Sequence, residues 1–216
     1  MRRFLPTFLI IILVLAIYPF LGRDEEPVRA VGLPWQIDIL PNGSTRVFGL
    51  TPGRTTLGQA VVLLGRDMEL AVMVAEGETG SLEMFYSHYR SGLLSAKLVL
   101  GAELDAAAVK RMRGNAVRRD VLKSGTHKYV VSEQDHEAAF DAVIQSIAFI
   151  PATNLDHEMI INRFGEPEEV ITMDNQVMHY LYPAKGLDVV LSEQAKDVLQ
   201  YVAPDQFARL RQPLVN

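Results

Sequence analysis

The sequence predicts an α+β fold: an N-terminal transmembrane helix followed by tandem helix plus antiparallel-sheet repeats. Three observations predict it. Two arginines precede eighteen uncharged, mostly apolar residues, Phe4 to Leu21. A helix-capping residue stands nine positions before a glycine twice, at Thr56/Gly65 and at Asp156/Gly165. Each glycine is followed by apolar, strand-length runs joined by short polar turns, which is the spacing of an antiparallel meander.

A helix over 4–21 rises about 27 Å, close to a hydrocarbon core of roughly 30 Å. Pro6 falls in its first turn, where a missing N–H costs little, and Pro19 lies near its far end. Arg2 and Arg3 stay in the cytoplasm, so the remainder crosses the membrane. Residues 1–22 are therefore read as a signal anchor and 23–34 as a charged, proline-bearing linker. The chain becomes a single-pass inner-membrane protein with a periplasmic C-terminal domain. A cleaved signal peptide is the alternative, but "YPFLGRDEE" is a poor cleavage context and "VRA" at Val28 to Ala30 a weak one. Either route exports the rest.

Residues 35–104 form the first helix–sheet repeat with an N-terminal hairpin. Trp35, Ile37 and Ile39 alternate with Gln36 and Asp38, and "PNGS" supplies the turn. Thr56 with Gln59 makes a capping box, and Gly65 ends the helix. "MELAVMVAE", "LEMFYSHYR" and "LLSAKLVL" are the strands. Residues 105–132 connect the halves, with a helix capped by Asp105, ended by Gly114 and Asn115, and followed by a short strand in "THKYVVS".

Residues 133–204 form the second repeat, opening on a helix from Ser132 that presents Ala139, Val143 and Ile147 and runs to Pro151. Asp156 then caps "HEMIINRF", Gly165 stops it, and four strands follow: "EEVITMD", "QVMHYLYP", "LDVVLSE" and "DVLQYVAP". Residues 205–216 are a tail. Laid side by side, the repeats match Met84 with Met178, Tyr86 with Tyr180, Gly92 with Gly186 and Leu93 with Leu187.

The chain has 216 residues, no cysteine and a formal charge of −5, or −7 once the two N-terminal arginines are set aside. Absence of cysteine excludes disulfides, thiolate metal sites and thiol catalysis. No basic footprint for nucleic acid is present; the single run, Lys110 to Arg119, reads as the solvated face of a helix. Among His88, His127, His136, His157 and His179 no H-E-x-x-H pair occurs. Serines lack a G-x-S-x-G elbow, and glycines form neither G-x-G-x-x-G nor a P-loop. No catalytic residue, cofactor or metal site is assigned, and the chain is read as no enzyme.

"IPATNLDHEMIINRFGEPEEV" and the strands around "HYLY" resemble the SmpA/OmlA (BamE-type) envelope assembly domain, best over 150–202. In tandem the architecture is similar to the β-lactamase inhibitor protein fold. Over 50–101 the likeness is thinner, with Arg66-Asp67 in place of the family's x-Pro. The resemblance implies a non-catalytic envelope protein that binds other proteins through its sheet.

One sheet face should pack against the helices through Leu82, Met84 and Tyr86 and through Met178, Tyr180 and Tyr182. The opposite face would then expose Phe85, Tyr89, His179 and Leu181, the expected partner-binding residues. The alternative is that loops, the hairpin or a second copy cover it. The reading is thus a membrane-anchored protein-interaction module in envelope assembly or enzyme inhibition, with an unidentified protein partner. A hydrolytic enzyme predicts a deep pocket with His beside a carboxylate. A small-ligand or lipid sensor predicts an apolar cavity between sheet and helices.

Overall fold

The computed structural model describes residues 32–173 and 176–215. The membrane segment over 4–21, the linker up to Val31 and the turn residues Asp174 and Asn175 lie outside them. No helix among the described residues is long and apolar enough to cross a membrane.

β1 (Asp38–Ile39) and β2 (Thr45–Arg46) form the expected hairpin, closed where Leu40 N–H donates to Ser44 O at 2.8 Å. Ten further strands build one antiparallel sheet. They are β3 (Glu69–Val74), β4 (Ser81–Ser91), β5 (Leu94–Ala102), β6 (Arg118–Val121), β7 (His127–Val130) and β8 (Ile144–Pro151). β9 (Glu169–Thr172), β10 (Met178–Tyr182), β11 (Leu187–Leu191) and β12 (Val198–Val202) complete it. Their order is β6-β7-β3-β4-β5-β8-β12-β11-β10-β9. The two meanders therefore share one sheet, joined where β8 pairs with β5 on one side and β12 on the other. The α+β class with an antiparallel sheet holds.

Helices cover one face. α1 (Leu57–Leu64) begins in the predicted capping box: Gln59 N–H donates to Thr56 Oγ1 at 3.2 Å, and Thr56 N–H donates to Gln59 Oε1 at 3.0 Å. α2 (Ala106–Gly114) is capped by Asp105, whose carboxylate accepts from Ala108 N–H at 2.7 Å. α3 (His136–Phe140) is a short turn of helix. α4 (His157–Phe164) is capped by Asp156, which accepts from Met159 N–H at 2.7 Å. The main core lies beneath them, from Leu70 and Val72 across Met84, Leu98, Ile147, Phe149 and Tyr201 to Val189. The face carrying Leu82, Met84, Tyr86, Tyr180 and Tyr182 is buried as predicted. α5 (Ala208–Arg211) lies in the tail.

Three readings need correction. The helix predicted from Ser132 to Pro151 stops at Phe140, and 144–151 is β8. The β-branched and aromatic run Val143, Ile144, Ile147, Phe149, Ile150 suits a half-buried pleat better than a helix, so packing overrode the 3.6-residue spacing. Backbone bonds fix the switch: Leu57 N–H donates to Ala142 O, and Ile144 N–H to Thr55 O, each at 2.9 Å. Second, the basic run is not one helical face, since Arg118 and Arg119 stand on β6.

The third concerns the match between halves. Tyr86 Oη donates to Gly65 O at 3.0 Å, and Tyr182 Oη donates to Gly165 O at 2.9 Å. Both glycines end a helix at positive φ, 95° and 80°. By this contact the counterpart of Tyr86 is Tyr182, not Tyr180. The motif match was anchored on the turn glycines Gly92 and Gly186, and the β4 arm is longer because of a bulge between Tyr86 and Tyr89. Tyr86→Phe and Tyr182→Phe should each cost about 1 kcal/mol in denaturant unfolding. Burial pushes both phenols up to about 12 from 10.0, so the stability they confer is full below pH 10 and falls as pH rises toward 12. Each Phe variant should flatten that alkaline loss; an unchanged profile would show that the bonds do not form.

Candidate functional site

The face opposite the helices is where a partner surface was expected. Register gives its rows. Glu69, Phe85, Val99, Ala148, Gln200, Asp188, Leu181 and Glu169 lie side by side across seven strand pairings. In a second row Lys97 pairs with Ile150, and on the far strands Val198, Val190, His179 and Ile171 lie side by side. In these rows Phe85, Val99, Ala148, Ile150, Val198 and Val190 are half-buried, whereas Asp188 is buried and the tail packs through Phe207 on Leu181 and on Val202 of β12.

Of the four predicted residues, Phe85 alone lies on this open strip. Tyr89 does not, because the bulge at Ser87–His88 turns it to the core side. There its ring meets Phe48 at 5.7 Å and Phe149 at 6.3 Å, both edge-on. Leu181 is fully buried, covered by the tail: it packs with Val202 and Phe207, flanked by Leu210 and Leu214. His179 is buried too, with Nδ1 2.8 Å from Asp188 Oδ2. The missed members are Val99, Ala148, Ile150, Val190 and Val198. The helix reading of 144–151 leaves out the strand that joins the two halves of the face; the β-branched and aromatic enrichment of "IQSIAFIP" is the available signal.

Charged groups border the strip. Beyond Phe85, Glu69 bonds Lys128 and accepts from Arg118 at 2.8 Å. The hydrogen bond from Lys128, with help from Arg118, holds the Glu69 carboxyl below its ordinary range. Burial pushes Glu83, on the same face, upward, with Lys128 opposing. On the far side Arg211 binds Glu169 at 2.7 Å and 3.1 Å. At the bulged end a cleft of about 320 Å³ gathers His88, Arg90, Lys97 and Lys196 with no acidic residue in its wall.

The remaining histidines are dispersed. His88 is exposed beside Ser87, His127 lies against Arg119, His136 packs on Phe140, and His157 Nδ1 is 3.1 Å from Tyr180 Oη. No group of three metal-ligating side chains occurs among the described residues. His179–Asp188 is the described His–carboxylate pair, and no cavity described here is lined by it. On the helix side, an apolar pocket of about 240 Å³ lies between α4, the sheet and Trp35.

No family profile, no curated protein and no solved structure matches this chain.

Proposed function

We propose that this chain is an exported, inner-membrane-tethered protein-binding module, made of two like helix–meander halves, that engages its partner on the open sheet face. Tethering through 4–21 rests on the arginine-led apolar stretch. Duplication is supported by the paired caps at Thr56/Gly65 and Asp156/Gly165 and by the two tyrosine–glycine bonds. The periplasmic setting and a role in envelope assembly or enzyme inhibition rest on the SmpA/OmlA-like resemblance.

The observation that carries the reading is the strip Phe85, Val99, Ala148, Ile150, Val198, Val190. It is apolar, continuous over five strands and bordered by ion pairs, the make-up of an interface centre with a polar rim. Because the pleat is rigid, these side chains lose little entropy on contact. The cations at the bulged end fit a partner whose apolar patch has acidic groups beside it.

A photo-crosslinker at Ile150 tests the proposal in native membranes, with Leu63 on the helix side as control. A discrete adduct is expected from Ile150 and not from Leu63. With the partner in hand, Phe85→Glu should weaken its binding by about 30-fold or more, the effect of one hot-spot contact. Equal labelling from both positions, or from neither, would reject the face. An adduct of twice the chain mass would make the partner a second copy.

A further inference from the structure

The pocket beside Trp35 shares no residue with the open strip; it lies between α4 and the helix side of the sheet. Its floor is Phe149 and Leu199 of the sheet, its wall is Ile160 and Phe164 of α4, and Trp35 closes it. The Trp35 loop is fixed in place: Tyr201 Oη, fully buried, donates to Pro34 O at 2.8 Å, and Leu33 N–H donates to Gln36 Oε1 at 2.9 Å. The opening is therefore part of the packed fold.

Arg163 stands at the pocket wall. Its guanidinium lies 4.4 Å from the centre of the Trp35 ring. Among the described residues no carboxylate is within ion-pair distance of it, and it is the one cationic side chain in the pocket lining. A stacked guanidinium keeps its N–H edge free for a bidentate anion. Apolar walls with a single unpaired cation call for a ligand with an apolar body and one anionic end. The volume, about 240 Å³, is that of about eight liquid waters, so the apolar body is of medium length.

We infer that this pocket binds a medium-chain aliphatic monocarboxylate, its chain over Phe149 and Leu199 and its carboxylate on Arg163. The planar fork of arginine suits a carboxylate better than a point cation would.

Trp35 is the sole tryptophan of the chain, so its emission reports the pocket without a label. The full chain reconstituted in vesicles of zwitterionic lipid would be titrated with sodium octanoate below its micellar concentration. A saturable change in Trp35 emission is expected, with octanol at least tenfold weaker. Arg163→Gln, a surface change that leaves the core intact, should weaken octanoate about tenfold and leave octanol unaltered, while Arg163→Lys should recover part of the loss. Octanoate without a saturable effect overturns the proposal. So does an equal response in wild type and Arg163→Gln, which marks partition into the lipid, or octanol binding as well as octanoate.

Discussion

Phe149→Ala lowers the unfolding free energy by about 3–5 kcal/mol, the range for removing a large buried ring. Phe149 is 1% exposed and sits on β8, the strand that joins the two meanders. Leu98 and Leu199 flank it in register on β5 and β12. Its ring stacks on Phe48 at 5.3 Å and meets Tyr89 at 6.3 Å. Phe48 in turn lies edge-on to Tyr201 at 5.8 Å. Strand spacing holds both flanks at about 4.8 Å, so the sheet cannot close over the lost volume. Only side chains can relax, and most of the cavity remains.

For a chain of this size the loss corresponds to roughly 10 °C in Tm. Denaturant unfolding of Phe149→Ala beside Val170→Ala measures it, since Val170 is 48% exposed and its truncation should stay within about 0.5 kcal/mol. A loss below about 1.5 kcal/mol for Phe149→Ala would mean that the aromatic cluster repacks and that β8 is not the energetic joint of the sheet.

That joint was the least legible part of the sequence. Helix caps at Thr56, Asp105 and Asp156 were readable because a cap is a local contact over three residues. The meander strands were readable because alternation and turns are also local. β8 was not, since Ala139, Val143 and Ile147 satisfy a helical period while Ile147 and Phe149 satisfy a strand period. The choice between them is made by pairing with β5, some forty to fifty residues earlier in the chain, and such pairing has no local mark.

The candidate face failed for related reasons. One extra residue at Ser87–His88 reverses which side Tyr89 takes, and a bulge leaves no composition signature there. Leu181 was expected exposed from its own strand, yet Phe207, 26 positions later, covers it. What survived was the parity of each strand. It places Phe85 opposite Met84 and Val99 opposite Leu98, and it delivers Ala148 and Ile150 once 144–151 is taken as a strand.

His179→Leu destabilises the fold by about 3–5 kcal/mol, whereas His179→Leu with Asp188→Leu recovers most of the loss. The two side chains are diagonal neighbours on β10 and β11, since Leu181 is the partner of Asp188 and Val190 that of His179. Asp188 is 1% exposed, and its Oδ1 has no hydrogen-bond partner among the described residues. His179 at 2.8 Å thus supplies the described polar contact of a buried carboxylate. Removing the imidazole strands that carboxylate in an apolar setting made by Leu181 and the tail, where desolvation is no longer offset. Removing both members leaves an apolar face for Leu210 and Leu214 to rest on, and replacement of a buried pair by apolar groups is often neutral or better. A double-mutant cycle in guanidinium unfolding should therefore give a coupling of about 2 kcal/mol or more. If each single change cost under about 1 kcal/mol, water would have to reach Asp188, and a pair open to water would restore the hydrolytic reading. A large coupling makes the pair a structural tie between β10 and β11, beside Leu181, which Phe207 of the tail covers.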